Sequence, residues 1–282
     1  MKGLLKKVCS NGYFVRVDGV DYPCKARGKL KLLSSGLTVG DFVEVENGII
    51  TKVYERKNSL IRPRVSNIDG VVIVIAPEPK PDFYLVDKVL IASNKLGVET
   101  LIAVNKSDKK TNLIKEVLSQ YESVCKVIEI SAKDGSGIED VKDFLRGKTV
   151  VFAGQSAVGK TSLLNTLFSL DLRVGELSEK IARGKHTTTY SEIFIKDGMT
   201  VIDTPGFAVI EAEVSEEEIS SLYPEYEELA VNCRFRGCSH TGEPDCAVIS
   251  AVETGKLSKD RHIRYCEFIT EIKNRRKEYD KN

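Results

Sequence analysis

Residues 149–162 read Thr149-Val150-Val151-Phe152-Ala153-Gly154-Gln155-Ser156-Ala157-Val158-Gly159-Lys160-Thr161-Ser162, and this stretch decides the fold. The first five, β-branched and apolar, predict a buried strand. Gly154 to Thr161 fits the pattern G-x-x-x-x-G-K-[ST], and Lys160–Phe168 carries helical periodicity. A strand, a glycine-bounded turn and a helix start together make a phosphate cradle. Glycine lets the backbone wrap the anion, so that the amides of Gln155, Ser156, Ala157 and Val158 and the helix N-terminus point at it. Lys160 is placed to reach β- and γ-phosphates, and the hydroxyl of Thr161, with Ser162 beside it, to ligate magnesium.

Working outward, Asp203-Thr204-Pro205-Gly206 closes a predicted strand at Thr200–Ile202. Asp203 there can hold the magnesium shell, and the Gly206 amide can approach the γ-phosphate. Between the two lies a polar run in a predicted loop, Lys185-His186-Thr187-Thr188-Thr189. One of its threonines, with Thr188 as the candidate, can complete the magnesium shell; the sequence does not single one out. Upstream, Asn105-Lys106-Ser107-Asp108 follows the predicted strand Leu101–Val104, at the end of a buried strand where α/β folds bind ligands. The Asp108 carboxylate can accept both the ring N–H and the exocyclic amine of guanine, a pair that adenine does not offer. Lys106 can lie along the base plane, and Asn105 can brace the neighbouring loop. Ser131-Ala132-Lys133, after the strand Val127–Ile130, can supply a backbone amide to the base oxygen.

The pattern around these motifs gives three regions. From Asn67 to about Ala208, apolar strands (Val71–Ala76 and those above) alternate with helical stretches at Leu85–Leu96, Leu113–Tyr121, Ile138–Leu145 and Lys160–Phe168, which implies a parallel α/β sheet covered on both faces. Before it, Tyr13–Val17, Val20–Ala26, Asp41–Val45 and Ile49–Tyr54 are short strands joined by Asp18-Gly19 and Asn47-Gly48 turns, as in an OB-like barrel. Arg56 to Arg64 reads as the linker out of it. After the sheet comes Glu211 to Glu228, with eight glutamates and no basic residue, read as a solvated helical connector. The expected domains are 1–64, 65–210 and 211–282.

The ends are basic, +7 over residues 1–65 and +4 over 255–282, around a centre of −10. Basic ends suit a polyanion, or are ordinary solvated lysines. The longest apolar run, Val71–Ala76, is far too short to span a bilayer, and no secretory signal opens the chain. Seven cysteines, an odd number, point to a reducing, cytoplasmic setting. Cys233-x4-Cys238-x-His240-x5-Cys246 is a structural zinc set, with Gly237, Gly242 and Pro244 allowing its turns. Cys9, Cys24, Cys125 and Cys266 are isolated, and His262 reads as a surface residue. Arg234 and Arg236 flank Phe235, which suits RNA phosphates and unstacked bases or is ordinary surface. The same two readings apply to Lys25, Arg27, Lys29, Lys31 and Arg275-Arg276-Lys277.

The base and phosphate strings resemble those of translation-factor-type GTPases, but in permuted order: Asn105 and Ser131 precede Gly154, Thr187 and Asp203. The junction at Gly147-Lys148 would join the old termini, which in domains commonly lie close together. A barrel before such a core and a Cys3His cluster after it resemble the RsgA (YjeQ/YloQ) family, circularly permuted GTPases that depend on the small ribosomal subunit. The resemblance covers essentially the whole chain. It implies hydrolysis of GTP to GDP and phosphate, stimulated by the small subunit and assisting its late maturation through rRNA contacts. It also implies one structural zinc at Cys233, Cys238, His240 and Cys246, magnesium with GTP, a monomer and no membrane.

One departure from the family is minor: it usually has a small residue plus Ser-Ser where this chain has Ala157 and Thr161-Ser162. Ala157 stands where some permuted GTPases carry a potassium-binding asparagine, so no potassium dependence is expected. Thr161-Ser162 replaces Ser-Ser and keeps the hydroxyl. Phe207 stands where Ras-like enzymes place a water-orienting glutamine, so intrinsic hydrolysis should be slow. His186, whose family counterpart has been assigned to water activation, is the candidate, alongside Lys160 and Thr161 as catalytic residues; a solvent-facing loop histidine, or a group supplied by the ribosome, are the alternatives. A permuted GTPase acting on the large subunit, or a GTP-dependent RNA-binding module with negligible turnover, are the rival functions.

Overall fold

A computed structural model describes residues 1–31, 36–60, 63–170, 191–203 and 214–279. At the N-terminus, strands β1 (Lys2–Cys9), β2 (Gly12–Val17), β3 (Val20–Ala26), β4 (Phe42–Glu46) and β5 (Ile49–Val53) form a barrel in the order β1-β2-β3-β5-β4, closed by pairing of β1 with β4. A short helix, α1 (Gly28–Lys31), follows β3. The barrel interior is filled by Leu5, Val15, Val17, Val43, Val45 and Ile50. The two expected tight turns carry positive φ at Asp18, Gly19, Asn47 and Gly48, as two-residue hairpin loops require. β1 is absent from the sequence expectations because it does not alternate. Its register shifts between Leu5 and Lys7, where one extra residue bulges against β2.

The segment expected as a linker is instead built into the fold. The Arg56 guanidinium pairs with the fully buried Asp41 at 2.6 Å, and Asp41 also accepts from Ser66 Oγ at 2.7 Å and Thr38 N at 2.8 Å. Strands β6 (Ser59–Leu60) and β7 (Val65–Ser66) pair as a hairpin, and Leu60 and Val65 enter the core of the next unit. A basic composition concealed a buried ion pair and two inward apolar residues.

The central sheet runs β10 (Lys126–Glu129), β9 (Glu99–Val104), β8 (Gly70–Ile75), β11 (Thr149–Ala153) and β13 (Met199–Asp203), all parallel, with β12 (Glu192–Lys196) antiparallel beside β13. Alternation sorts its side chains to two cores. Val71, Ile73 and Ile75 face α2 (Phe83–Leu96) and α3 (Leu113–Tyr121), while Val72 and Val74 face α4 (Ile138–Leu145) and α5 (Lys160–Phe168). The Gly147-Lys148 junction is a tight turn with Gly147 at φ 70, its N–H bonded to Gly198 O at 2.9 Å. No helix among the described residues is long and apolar enough to cross a membrane.

The acidic stretch also departs from expectation. Within its described part, a 3₁₀ turn at Ile219–Leu222 and helix α6 (Pro224–Ala230) bury Ile219, Leu222, Tyr223 and Tyr226 against α7 (Ala247–Glu253) and α8 (Lys259–Tyr279). Its glutamates are not all solvated: Glu225 Oε1 lies 2.6 Å from Arg261 Nε, with both side chains under a tenth exposed. Arg261 and Arg264 of α8 also pair with Asp87 of α2, which is fully buried, and Arg264 Nη2 donates to Gln120 Oε1 at 2.9 Å. This four-charge cluster, with Ile91 of α2 in the same apolar core, docks the C-terminal helices onto the sheet's helical layer.

Removing one member of a buried ion cluster leaves the others uncompensated. Arg261→Met should therefore lower the stability of the C-terminal helices by about 3–5 kcal/mol, read as earlier loss of helical circular dichroism in urea. Lys142→Met, which breaks only the exposed pair with Glu139, should change it by less than about 0.5 kcal/mol.

Candidate functional site

Strand β11 ends at Ala153, and the loop to α5 curls under two steric constraints. Gly154 has φ 136, and a Cβ there would sit 2.1 Å from the carbonyl oxygen of Val74 on the neighbouring strand. Gly159, at φ 100, caps α5, and a Cβ there would sit 2.3 Å from Asn105 Nδ2. Both positions admit only glycine, which makes the loop a cradle of free amides at a helix N-terminus. Ser156 and Ala157 lie open to solvent and Gln155 is half-buried, while Val158 anchors the loop in the core. Thr161 and Ser162 stand half-buried in the first turn of α5.

The Lys160 ammonium folds onto its own loop, donating to Gly154 O and Gln155 O at 2.6 Å each. Burial lowers its pKa to about 8, and the nearby Asp203 carboxylate opposes that shift. Lysine and aspartate thus sit within electrostatic range in a desolvated pocket, a charge pattern that fits a magnesium-bound polyphosphate. Asp203, the last residue of β13, is 9% exposed. Thr187, Thr188 and His186, and Thr204 to Phe207 including Gly206, lie outside the described residues.

Asn105, at the end of β9, is 3% exposed and ties three loops together. Its Nδ2 donates to Val158 O of the phosphate loop at 2.8 Å, and its Oδ1 accepts from Ala132 N at 3.0 Å. Lys106, at φ 66, extends across the phosphate loop and donates to Ala157 O at 2.9 Å and Glu78 O at 2.6 Å. Ser107 N bonds to Ile130 O at 3.1 Å, which draws this loop against Ser131. Asp108 faces outward with Lys133 Nζ 3.8 Å away. Ser131 is fully buried, its hydroxyl accepting from Asp134 N at 3.3 Å, and Ala132 O accepts from Thr166 Oγ1 of α5 at 2.9 Å. The loops at 105–108, 131–133 and 154–161 therefore meet at one end of the sheet.

One part of this cluster escaped the sequence reading. The Pro77–Asp82 loop after β8 lies against the phosphate loop: Gln155 Oε1 accepts from Asp82 N, and Gln155 Nε2 donates to Lys80 O, both at 3.1 Å. The available signal was three prolines directly after a buried strand, at the strand end where such sheets bind ligands.

A second site lies in the C-terminal unit. Cys233, Cys238, His240 and Cys246 offer ligand atoms that all lie within 4.8 Å of one another. His240 Nδ1 is 3.3 Å from Cys246 Sγ and 3.7 Å from Cys233 Sγ. These separations suit the edges of a tetrahedron, about 3.8 Å for a zinc–sulfur bond near 2.3 Å. Positive φ at Gly237, His240 and Asp245 makes the turns. Burial pushes the Cys238 thiol up to about 12 and also raises that of Cys246, so a divalent cation is what would hold them as thiolates here. Burial works to raise the Glu243 carboxyl, but hydrogen bonds from Ser239 and the Thr241 amide hold it at about 2, bracing the ligand loop. Arg234, Phe235 and Arg236 project from this loop into solvent, with the Arg234 guanidinium 5.4 Å over the Phe235 ring. Lys25, Arg27 and Arg275 are exposed as well. His262 is not a surface residue: it is half-buried, and its Nδ1 meets Tyr226 Oη at 2.9 Å.

Two outcomes are expected. Asn105→Ala unpairs two backbone groups and should cost about 1–3 kcal/mol, with amide exchange rising together at residues 131–133 and 157–160. A strong chelator should melt the C-terminal helices selectively, and Cys246→Ser should reproduce the effect without chelator.

Residues 53–213 match the model of the RsgA GTPase family. The small ribosomal subunit biogenesis GTPase RsgA of Caldanaerobacter subterraneus is 36% identical, with 100% of this chain and 99% of that protein covered. A Listeria innocua protein of the same description, RsgA 2, is 40% identical over 99% of this chain and 100% of its own length. Among solved structures, YjeQ from Thermotoga maritima superposes with a TM-score of 0.81 at 34% identity, covering 96% of this chain and 98% of that one. YloQ, described as a circularly permuted GTPase, gives 0.77 at 32% identity, covering 97% and 95%. Full-length likeness in sequence and fold, with base-reading strings placed ahead of the phosphate loop, makes the chain a circularly permuted GTPase of the RsgA family.

Proposed function

We propose that the chain hydrolyses GTP to GDP and phosphate while engaged with the small ribosomal subunit, and so assists late maturation of that subunit through contacts with its rRNA. The observation that carries this reading is the Asn105 side chain, which holds the base-reading loops against the phosphate loop at one sheet end. In this reading Asp108 accepts the guanine N–H pair, Lys106 flanks the base, and the Ala132 and Lys133 amides face its oxygen. Gly154 to Gly159 cradle the phosphates, and Lys160 exchanges its two carbonyl partners for phosphate oxygens. Thr161 and Asp203 hold magnesium, which neutralises charge on the β- and γ-phosphates. His186 orients water, Thr188 completes the magnesium shell and the Gly206 amide meets the γ-phosphate.

Support for the partner comes from the relatives, which are described as small ribosomal subunit biogenesis GTPases. The barrel (1–64) and the zinc-bearing unit (211–282), on either side of the GTPase unit (65–210), grip rRNA through Lys25, Arg27, Arg234, Phe235 and Arg236. Zinc at the Cys3His cluster is structural, since four protein ligands close the site. The protein acts as a cytoplasmic monomer. Direct linkage of the phosphate-sensing residues from Asp203 to the zinc-bearing unit lets loss of the γ-phosphate alter the grip on RNA.

GTP hydrolysis is to be measured alone, with small subunits and with large subunits, in the parent and in His186→Ala. Acceleration by small subunits only, lost in the variant, is expected; acceleration by large subunits would move the partner, and none by either would leave a binding module. Asp108→Asn should weaken GDP binding by about 100-fold and restore tight binding to the xanthosine nucleotide, whose ring carries an acceptor where guanine has its amine.

A further inference from the structure

Among the described residues the barrel is joined to the GTPase sheet both along the chain and strand to strand. The covalent joint runs past the Arg56–Asp41–Ser66 hydrogen bonds into β8. The second is strand-to-strand. After the bulge at Leu5 and Lys7, β1 has left β4 but stays paired with β2, and its freed side meets β12, the edge strand of the central sheet, antiparallel at Lys7. Lys7 is the register partner of Glu192, and its ammonium lies 2.6 Å from the Glu192 carboxylate, with each side chain about a third exposed. Leu4 and Val8, on either side, pack on the core beneath the sheet.

Glu192 is in turn the register partner of Asp203 across β12 and β13. Residues directly opposite in antiparallel strands project to the same face, so Lys7, Glu192 and Asp203 form one row from barrel to phosphate site. Like charges opposed in this way repel, and Lys7 neutralises the carboxylate that would otherwise oppose Asp203. Glu192 also stands three residues after Thr189, so the strand that Lys7 holds leads out of the Lys185–Thr189 run.

We propose that Lys7 and Glu192 are positioning residues: the barrel sets the placement of Asp203 through them, so that engagement of the barrel is felt at the γ-phosphate. This rests on the GTPase reading of Asp203 above. Movement of the barrel changes the Lys7–Glu192 separation, and the row converts that change into repulsion on Asp203. Because the coupling is reciprocal, the nucleotide state must also change how firmly β1 is held.

The test uses the full-length protein, with Lys7→Met, Glu192→Gln, the double variant and the conservative Lys7→Arg. Small-subunit-stimulated kcat and the KM for GTP are measured together with amide exchange across residues 2–9, in magnesium with GDP or with a non-hydrolysable GTP analogue. Lys7→Met should lower stimulated kcat about threefold or more with KM unchanged, Lys7→Arg should retain it, and the double variant should fall short of the summed single effects. In the parent, β1 exchange should differ between the two nucleotides, and Lys7→Met should erase the difference. Identical β1 exchange in both nucleotide states, or additive single effects, would sink the proposal. A parent that small subunits fail to stimulate, but whose β1 exchange still follows the nucleotide, would sustain the coupling and overturn the partner assigned above.

Discussion

The side-chain amide of Asn105 is the contact that holds the loops at this end of the sheet together. A buried amide must satisfy its donor and acceptor, and here the two obligations point at different loops: Val158 O on the phosphate loop and Ala132 N on the loop after β10. The geometry is tight enough that Gly159 has no room for a Cβ beside Asn105. One residue directly after β9 therefore places two loops that the chain makes at quite different points, and permuting the order of synthesis leaves the constraint intact. It acts between strand ends and is indifferent to which end is made first.

Around that contact the molecule is organised as a sheet with a partner unit at each side. At the C-terminal side, Asp87 and Glu225 are matched by Arg261 and Arg264 in a water-poor cleft between α2 and α8. Such clusters add little net stability over an apolar packing, but they tolerate only one docking arrangement, because a shifted helix would strand a charge. The Cys3His group sits on the same unit, with Cys246 at the N-cap of α7 and Tyr265 Oη donating to Ser239 O at 2.8 Å. The metal loop is thereby fixed relative to α8, and α8 relative to α2, whose first turn begins beside Gln155. At the barrel side, the bulged end of β1 covers the edge of the central sheet, which also removes an open strand edge.

Much of this was legible before any coordinates. The strand and helix alternation of the core was readable because buried parallel strands are continuous apolar runs and the covering helices keep a 3.6-residue period. The phosphate loop, the base-reading strings and the Cys3His spacing were readable because each requires particular residue types at short range. What was missed or misread has two physical causes. β1 bulges, so Leu5 and Lys7 do not alternate. Arg56 to Arg64 is basic, yet its arginine neutralises a buried aspartate. The stretch from Glu211 is acidic, yet Glu225 is buried against Arg261. Composition marks charge as solvated unless a partner far along the chain is known, and those partners are 15 residues away for Arg56 and 36 for Glu225.

By itself, the sequence determined the identity of the parts: a G-x-x-x-x-G-K-[ST] string, an N-K-x-D string, a Cys3His set and the permuted order in which they occur. These depend on neighbours within about a dozen residues, where chain geometry alone fixes what can meet. The tertiary structure decided how the parts are joined. It brought Asn105 to both loops, laid the Pro77–Asp82 loop on Gln155, clamped α8 to α2 and set Lys7 beside Glu192, the register partner of Asp203. Those pairings lie many tens of residues apart, and they arise only when strand register and helix packing bring distant side chains into one low-dielectric space.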